Sequence, residues 1–149
     1  LDLPSDITPI RPQPKAQDLS GDMLEIPLVG RVAAGLPLLA VENVEDSVKV
    51  DRFFVGSNRE VFALRVKGDS MIDEQIRDGD FVIVEDRKTA TNGEMVIALL
   101  AGADVTLKKF YRDNGRVRLQ PANPTMQPMY FDPSQIQVQG VVVGVMRKY

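Results

Sequence analysis

The chain has 149 residues, 44% of them hydrophobic, which is enough for one ordinary domain with a buried core. Its formal net charge of -3 and sequence pI of about 5.0 argue against a protein that binds nucleic-acid phosphates by itself. The absence of cysteine and histidine excludes a disulfide-stapled secreted fold, thiol catalysis and Cys/His metal sites, and we expect no metal or other cofactor.

Residues 1–25 have the composition of an interdomain linker. Four prolines, at positions 4, 9, 12 and 14, lie among polar residues without a hydrophobic period, and proline favours extended, semi-rigid chain. Because the chain starts with Leu1 rather than Met, we expect an upstream domain that this sequence does not contain. No segment has the roughly 20 apolar residues of a membrane span, and the N-terminus has no signal-peptide pattern. We therefore expect a cytoplasmic protein without membrane contacts.

From Ile26 onward the pattern becomes that of short β-strands, and residues 26–149 are predicted to form one domain. In residues 62–67, the large apolar side chains of Phe62, Leu64 and Val66 alternate with Ala63, Arg65 and Lys67, the period-two signature of a half-buried strand. Asp78-Gly79-Asp80 predicts a turn, and the apolar run 81–84 after it predicts a buried strand. Two further strands are predicted, at 95–100 and from Asp104 to about Arg112.

The remaining segments complete a mostly β pattern. Asn114-Gly115 supplies the two positive-φ residues of a type I′ hairpin turn. Prolines at 121, 124 and 128 mark a long loop, and the valine-rich segment Val141–Met146 predicts a C-terminal strand. Since no helical pattern reaches 12 residues, we predict a mostly β fold of twisted antiparallel sheets with few or very short helices.

Two short segments combine into a candidate catalytic site: Gly68-Asp69-Ser70-Met71 and Val105-Thr106-Leu107-Lys108. A serine hydroxyl is a poor nucleophile unless a base takes its proton, and without histidine an uncharged lysine is the base that remains. Alternation along the second segment puts Thr106, Lys108 and Phe110 on one face, with Lys109 on the other. If Lys108 points inward, burial lowers its pKa, and its neutral amine can accept the proton of Ser70.

Around this pair, the turn that carries Ser70 offers backbone amides as candidates for an oxyanion hole. Upstream, the small side chains of Val32-Ala33-Ala34-Gly35 would let an extended backbone enter a narrow active site. Taken singly, these features are commonplace, because a serine in a turn is more often a capping residue and a lysine in a strand is usually a solvated edge charge. A non-catalytic β interaction domain therefore stays an alternative.

Together, in their order and spacing, the segments resemble the C-terminal domain of the LexA family, the self-cleaving repressors of the bacterial SOS regulon. The resemblance covers roughly residues 26–149. Five segments carry it: Pro27-Leu28-Val29-Gly30-Arg31-Val32-Ala33-Ala34-Gly35, Pro37-Leu38-Leu39-Ala40, Gly68-Asp69-Ser70-Met71, Asp78-Gly79-Asp80 and Val105-Thr106-Leu107-Lys108. It implies a LexA-type or signal-peptidase-like β domain that acts as a serine peptidase on its own chain.

The resemblance also implies residue roles. Ser70 is expected to be the nucleophile, Lys108 the general base, and Ala34-Gly35 the bond that is cut. Contacts of the cleavage loop are expected from Val29, Val32 and Ala33. Oxyanion or supporting contacts are expected from Asp69, Met71, Asp104 and Thr106, of which Asp104 falls where the family carries an acidic residue.

Partners follow from the same resemblance. It implies a homodimer formed through this domain, to which the strand Val141 to Val145 would contribute, and cleavage stimulated by RecA on single-stranded DNA. Operator DNA would be bound only by a helix-turn-helix domain that has no counterpart in this sequence. The self-processing polymerase subunit UmuD, which lacks that domain, and phage repressors are alternatives. UmuD is usually cut at a Cys-Gly bond, so Ala34-Gly35 favours LexA.

Overall fold

The structure, a computed structural model, describes residues 17–18, 23–29, 44–54, 60–101 and 105–149. Within these ranges the chain forms ten strands and three 3-10 helices of three residues each. The strands are β1 Gln17–Asp18, β2 Met23–Val29, β3 Val44–Asp51, β4 Val61–Arg65, β5 Phe81–Glu85, β6 Met95–Leu100, β7 Val105–Asp113, β8 Arg116–Gln120, β9 Met129–Phe131 and β10 Ile136–Met146. The helices are Arg52–Phe54, Ile72–Glu74 and Pro133–Gln135. In the described part of the chain, no helix is long and apolar enough to span a membrane.

All ten strands belong to one sheet, in the order β1-β2-β4-β5-β10-β6-β7-β8-β9, with β3 on the other edge of β2. Neighbours are antiparallel except β2 and β4, which pair in parallel at Leu28 with Ala63 and Val29 with Leu64. The predicted mostly β fold with very short helices is confirmed. One parallel pair makes the sheet mixed rather than purely antiparallel.

The predicted strand in 62–67 is confirmed as β4, and Arg65 and Lys67 are exposed as the alternation predicts, but half-burial is wrong at Ala63, where both faces of the strand are covered. Phe62 and Leu64 pack into one apolar cluster, whereas Val61 and Ala63 pack into a second cluster together with residues of β2 and β3. Ala63 is small, which made its face resemble an exposed one in the sequence, yet it is fully buried.

At the N-terminal side, β2 begins at Met23, within the last residues of the predicted linker, and Gln17–Asp18 pairs with it. The division into linker and domain stays a prediction.

The predicted hairpin is confirmed, since Asn114 and Gly115 have φ angles of 52° and 78° between β7 and β8. The C-terminal strand is longer than predicted, because β10 already starts at Ile136. Its pairing shifts register twice, once against β5 and once against β6. One shift lies at Gly140, where a Cβ atom would meet Val84 Cγ1 and lie 2.8 Å from the carbonyl oxygen of Glu85. The sheet therefore needs glycine at this point.

The core beneath the candidate site is built by the central strands and by the segment that follows β4. Its buried members are Phe62, Leu64, Met71, Ile76, Val82, Val84 and Ile97. Because Met71 and Ile76 come from the segment around Ser70, burying them fixes that segment against the sheet.

Candidate active site

Ser70 lies in the turn that connects β4 to the short helix Ile72–Glu74. Gly68 enters the turn with a φ of 93°, a conformation that side chains other than glycine rarely adopt. Its N–H donates a hydrogen bond to Asp78 Oδ1 at 2.7 Å. On the other side of Ser70, Met71 is only 1% exposed and packs into the core. The turn is thus anchored on both sides of the serine.

Lys108 approaches this turn from β7. The side chain is 7% exposed, and its Nζ lies 3.2 Å from Ser70 Oγ and donates a hydrogen bond to Thr106 Oγ1 at 2.6 Å. No carboxylate of the described residues lies within ion-pair distance of Nζ. Burial lowers the pKa of Lys108 below its ordinary value of 10.5, because desolvation penalises the ammonium form. The arrangement favours a neutral amine beside a hydroxyl.

The neighbouring lysine has a different environment. Lys109 Nζ lies 3.7 Å from Glu74 Oε2 in an ion pair, and about a quarter of its side chain is exposed. Lys108 and Phe110 are buried on the opposite face of the strand. Alternation along β7 therefore brings only one of the two adjacent lysines to the serine.

A cavity of 440 Å³ opens beside this pair. Its lining includes the end of β4 and the start of β7 and is mixed in character. The polar members are Arg65, Lys67, Ser70, Asp78, Thr106 and Lys108, and the apolar side chains are Leu64, Val66, Met71, Val82, Ile97, Val105 and Leu107. Such a volume is at the lower end of ligand-binding clefts, which suits small side chains.

One wall of the cavity is a strand edge without a described partner. β8 pairs with β7 only from Lys109 onward, so Val105–Lys108 pair with β6 on one side alone. The N–H and C=O groups of successive residues in a strand point to alternate edges. Those of Phe110 bond on the side of β6, so those of Leu107, three residues earlier, point to the open side. The Leu107 carbonyl oxygen lies 3.5 Å from Ser70 Oγ. An extended peptide could therefore pair with this edge next to the serine.

The structure places the remaining sequence-predicted residues as follows. The Asp69 side chain is exposed, and it is the Asp69 carbonyl oxygen that makes contacts at the turn. Val29 pairs through its backbone with β3 and β4. Val32, Ala33, Ala34, Gly35 and Asp104 lie outside the described residues. Among the described residues, no group of His, Cys, Asp or Glu side chains is arranged to hold a metal ion.

Comparison with known families agrees with this geometry. A family model described as "Peptidase S24-like" matches residues 27–143, a range that contains both Ser70 and Lys108. The chain belongs to the peptidase S24-like family. Family membership supports a serine peptidase.

Curated relatives of this peptidase S24-like chain carry the name LexA repressor. One from Myxococcus xanthus (strain DK1622) is 53% identical over 131 residues, which cover 85% of this chain and 59% of that protein. One from Anaeromyxobacter dehalogenans (strain 2CP-1 / ATCC BAA-258) is 50% identical, covering 85% and 56%. One from Clostridium novyi (strain NT) is 43% identical, covering 86% and 62%. The resemblance to LexA is confirmed, and the chain spans less than two thirds of the length of these relatives.

Sequence reasoning missed two groups of contacts that hold the S24-like site together. The first comes from the loop after β8, where Ala122 and Asn123 bond to the backbone of the Ser70 turn. A proline-rich loop gave no local signal for this contact.

The second group joins the turn Asp78-Gly79-Asp80 to the segment after β10. Asp80 is 2% exposed, and its carboxylate accepts hydrogen bonds from Arg147 Nε at 2.8 Å and Nη2 at 2.9 Å. The Arg147 hydrogen bonds are the main cause that lowers the pKa of Asp80 below 3.8. Arg147 also donates to the Gln75 carbonyl oxygen at 2.9 Å, which ties it to the helix that follows Ser70. The sequence pattern predicted the turn but not this ion pair between the buried Asp80 carboxylate and the exposed Arg147.

Proposed function

We propose that this chain is the self-cleaving C-terminal part of a LexA-type repressor of the SOS response, in which Ser70 and Lys108 hydrolyse the Ala34-Gly35 bond of the same chain. The observation that carries the proposal is the buried Lys108 Nζ, 3.2 Å from Ser70 Oγ in an S24-like domain. The similarity to LexA repressors supports the biological role.

The proposed reaction has two steps. Ser70 Oγ attacks the carbonyl carbon of Ala34 while neutral Lys108 takes the hydroxyl proton, and the resulting ammonium then protonates the amine of Gly35 as the peptide bond breaks. In the second step, Lys108 takes a proton from water as the water oxygen attacks the Ala34 carbonyl carbon of the ester; the bond to Ser70 Oγ then breaks, Lys108 returns the proton to Oγ, and the new C-terminal carboxyl group of Ala34 is released. Thr106 supports this role, because its hydroxyl accepts a hydrogen bond from Nζ and thereby orients the amine towards Ser70.

The negative charge that develops on the Ala34 carbonyl oxygen during the attack needs hydrogen-bond donors close to Ser70. No described residue accepts a hydrogen bond from the amide N–H of Ser70 or Met71, so both donors are available as an oxyanion hole. Met71 is buried and holds its amide in place. The exposed Asp69 side chain acts, in this proposal, only through its backbone, and Asp104 stays a candidate supporting residue.

The chain path supports cleavage within one molecule. Val29, the last residue of β2, pairs with Leu64, and Leu64 lines the cavity beside Ser70. Ala34 follows five residues later, and five extended residues reach roughly 17 Å. Val32 and Ala33 would then contact the open edge of β7, with the small Ala34 and Gly35 at the serine. Presentation within the same chain raises the effective concentration of the bond.

Regulation belongs to the same proposal. A segment that is cut by its own domain must be kept away from Ser70 until cleavage is needed, which requires a docked and an undocked position. We propose that RecA bound to single-stranded DNA favours the docked position. Addition of RecA and single-stranded DNA should then speed cleavage at neutral pH without changing the site of cleavage.

We propose a homodimer through this domain. Val142 and Gly144–Met146 pair with β5, with Val143 at a register shift between them, whereas β6 pairs with β10 only as far as Val141. One edge of the C-terminal half of β10 thus has no described partner, and Val143 on it is 37% exposed. A two-fold contact at this edge would present two upstream DNA-binding domains to a symmetric operator. Sedimentation of the chain should show a dimer, and residues 1–149 alone should not bind operator DNA.

Self-cleavage is tested by incubating the purified chain at increasing pH without any partner. Cut at Ala34-Gly35, the 149 residues give pieces of 34 and 149 − 34 = 115 residues, which mass spectrometry distinguishes. Ser70→Ala should abolish both pieces. Gly35→Asp should block cleavage while leaving the Ser70–Lys108 pair intact, because bulk and charge then occupy the segment that must enter the site. Undiminished cleavage in Ser70→Ala would refute the mechanism.

A further inference from the structure

We propose that Asn123 is a positioning residue for the nucleophile: it holds the turn that carries Ser70 through the carbonyl oxygen of Asp69. The inference rests on the proposed function, because it concerns the serine of that reaction. Asn123 lies in the proline-rich loop after β8, far from Ser70 in sequence.

The loop makes three hydrogen bonds to the turn. Asn123 Nδ2 donates to the Asp69 carbonyl oxygen at 3.0 Å. The Ala122 N–H donates to the Ser70 carbonyl oxygen at 2.8 Å, and the Ala122 carbonyl oxygen accepts from the Asp73 N–H at 2.7 Å. The loop therefore contacts the residue before the nucleophile, the nucleophile itself and the helix after it.

Asn123 is itself oriented for this contact. Its Oδ1 accepts hydrogen bonds from the Thr125 N–H at 3.0 Å and from Thr125 Oγ1 at 2.8 Å. Because Oδ1 is taken up by two donors, the amide group presents its NH₂ side to Asp69. The side chain acts as a bridge between its own loop and the nucleophile turn.

The position of Ser70 depends on such a bridge for a geometric reason. After Ser70, the buried Met71 side chain anchors the turn to the core. Before Ser70, the turn is held through its backbone, by the bond from the Gly68 N–H to Asp78 Oδ1 and by the bond from Asn123 Nδ2 to the Asp69 carbonyl oxygen. Ser70 Oγ and Lys108 Nζ are separated by 3.2 Å, already at the long end of the range for proton transfer. A rotation of the turn about Met71 that lengthens this distance by about 1 Å would cost on the order of a hundredfold in rate.

The test compares Asn123→Asp and Asn123→Ala with the wild-type chain. Asp keeps the oxygen that accepts from Thr125 but replaces the donor to Asp69 by a carboxylate oxygen, whereas Ala removes both contacts without adding charge. Asn92→Ala is the matched control, because Asn92 Oδ1 likewise bonds a backbone group, the Arg112 N–H, at 2.8 Å. That contact joins the turn between β5 and β6 to β7.

Two reactions are followed across pH for each variant. The first is self-cleavage at Ala34-Gly35. The second is labelling of Ser70 by a fluorophosphonate, in which Ser70 Oγ bonds to phosphorus, fluoride leaves and Lys108 takes the hydroxyl proton. Labelling does not require a docked cleavage segment, so it reports the serine and its base alone.

We expect Asn123→Asp and Asn123→Ala to lower the high-pH plateau of both reactions about 10- to 100-fold. The pH midpoint of Asn123→Ala should stay at the wild-type value, because Lys108 keeps its environment. Circular dichroism and urea unfolding should show both variants folded, and Asn92→Ala should react within about threefold of wild type.

Plateau rates of folded Asn123→Ala and Asn123→Asp within threefold of wild type would overturn the inference while leaving the proposed function intact. Failure of both variants to fold would assign the residue a purely structural role and overturn it as well. A wild-type chain that neither cleaves itself nor reacts at Ser70 would refute the proposed function, and this inference with it.

Discussion

Replacing Lys108 by methionine separates the proposed general base from every other contribution to the proposed self-cleavage. Methionine has a similar length and is apolar, so it can fill the buried site without leaving a cavity. Among the described residues, it is the Lys108 amine that lies within hydrogen-bond distance of Ser70 Oγ and can act as a base. General-base catalysis typically contributes about 10²- to 10⁴-fold. We therefore expect Lys108→Met to slow cleavage at Ala34-Gly35 at least a hundredfold.

The pH profile tests the same group independently. Burial lowers the pKa of Lys108, and only the neutral amine is active, so the wild-type rate should rise about tenfold per pH unit and level off above that pKa. Whatever cleavage remains in Lys108→Met should lack this profile. Mass spectrometry of timed samples between pH 7 and about pH 10.5 measures both the rate and the bond that is cut.

The adjacent lysine provides the control. Lys109 pairs with Glu74 on the other face of β7, so Lys109→Met should stay within about threefold of wild type and keep the rising profile. If Lys108→Met and Lys109→Met lowered the cleavage rate equally, neither lysine could be assigned as the base. Cleavage by Lys108→Met within tenfold of wild type would refute the reasoning.

Three further predictions concern stability. In a Ser70→Ala background, Lys108→Met should raise the free energy of unfolding in urea by about 1 to 2 kcal/mol at neutral pH, because the buried ammonium is penalised. That gain should vanish above pH 10.5, the ordinary pKa, where folded and unfolded chains are both neutral at Lys108. Asp80→Asn should lower the urea midpoint, since Arg147 loses its ionic partner. The loss should shrink as pH falls below 3.8, because the depressed folded-state pKa makes this stabilisation complete above that value. Gly140→Ala should cost about 1 to 3 kcal/mol through overpacking against β5, seen as a lower melting temperature without change of fold by circular dichroism.

The parts of the fold that could be predicted from sequence are those written in local patterns. The turn at Asn114-Gly115 follows from the φ angles that those residues tolerate, and the strand at 95–100 follows from its apolar run between turns. Alternation along β7 also separated Lys108 from Lys109, because neighbouring residues of a strand point to opposite faces.

What escaped prediction depends on neighbours that are distant in sequence. β4 is buried on both faces because β2 and β3 cover the face of Ala63, and nothing within 62–67 encodes that cover. The bonds of Asn123 to Asp69 and of Arg147 to Asp80 span 54 and 67 residues. A single side chain that bonds across such a distance leaves no periodic signal.

The position of β10 bears on how Ser70 and Lys108 are brought together. β5 and β6 are not neighbours in the sheet; β10 lies between them and joins the half that carries Ser70 to the half that carries Lys108. β10 is also the last of the described strands in chain order, so a ribosome synthesises Ser70, Lys108 and Ala34-Gly35 before the strand that joins the two halves. Under the proposed function, a nascent chain that has not yet reached Ile136 would hold Ser70, Lys108 and Ala34-Gly35 without the strand that joins the two halves of the sheet, so we expect such a chain not to cut itself.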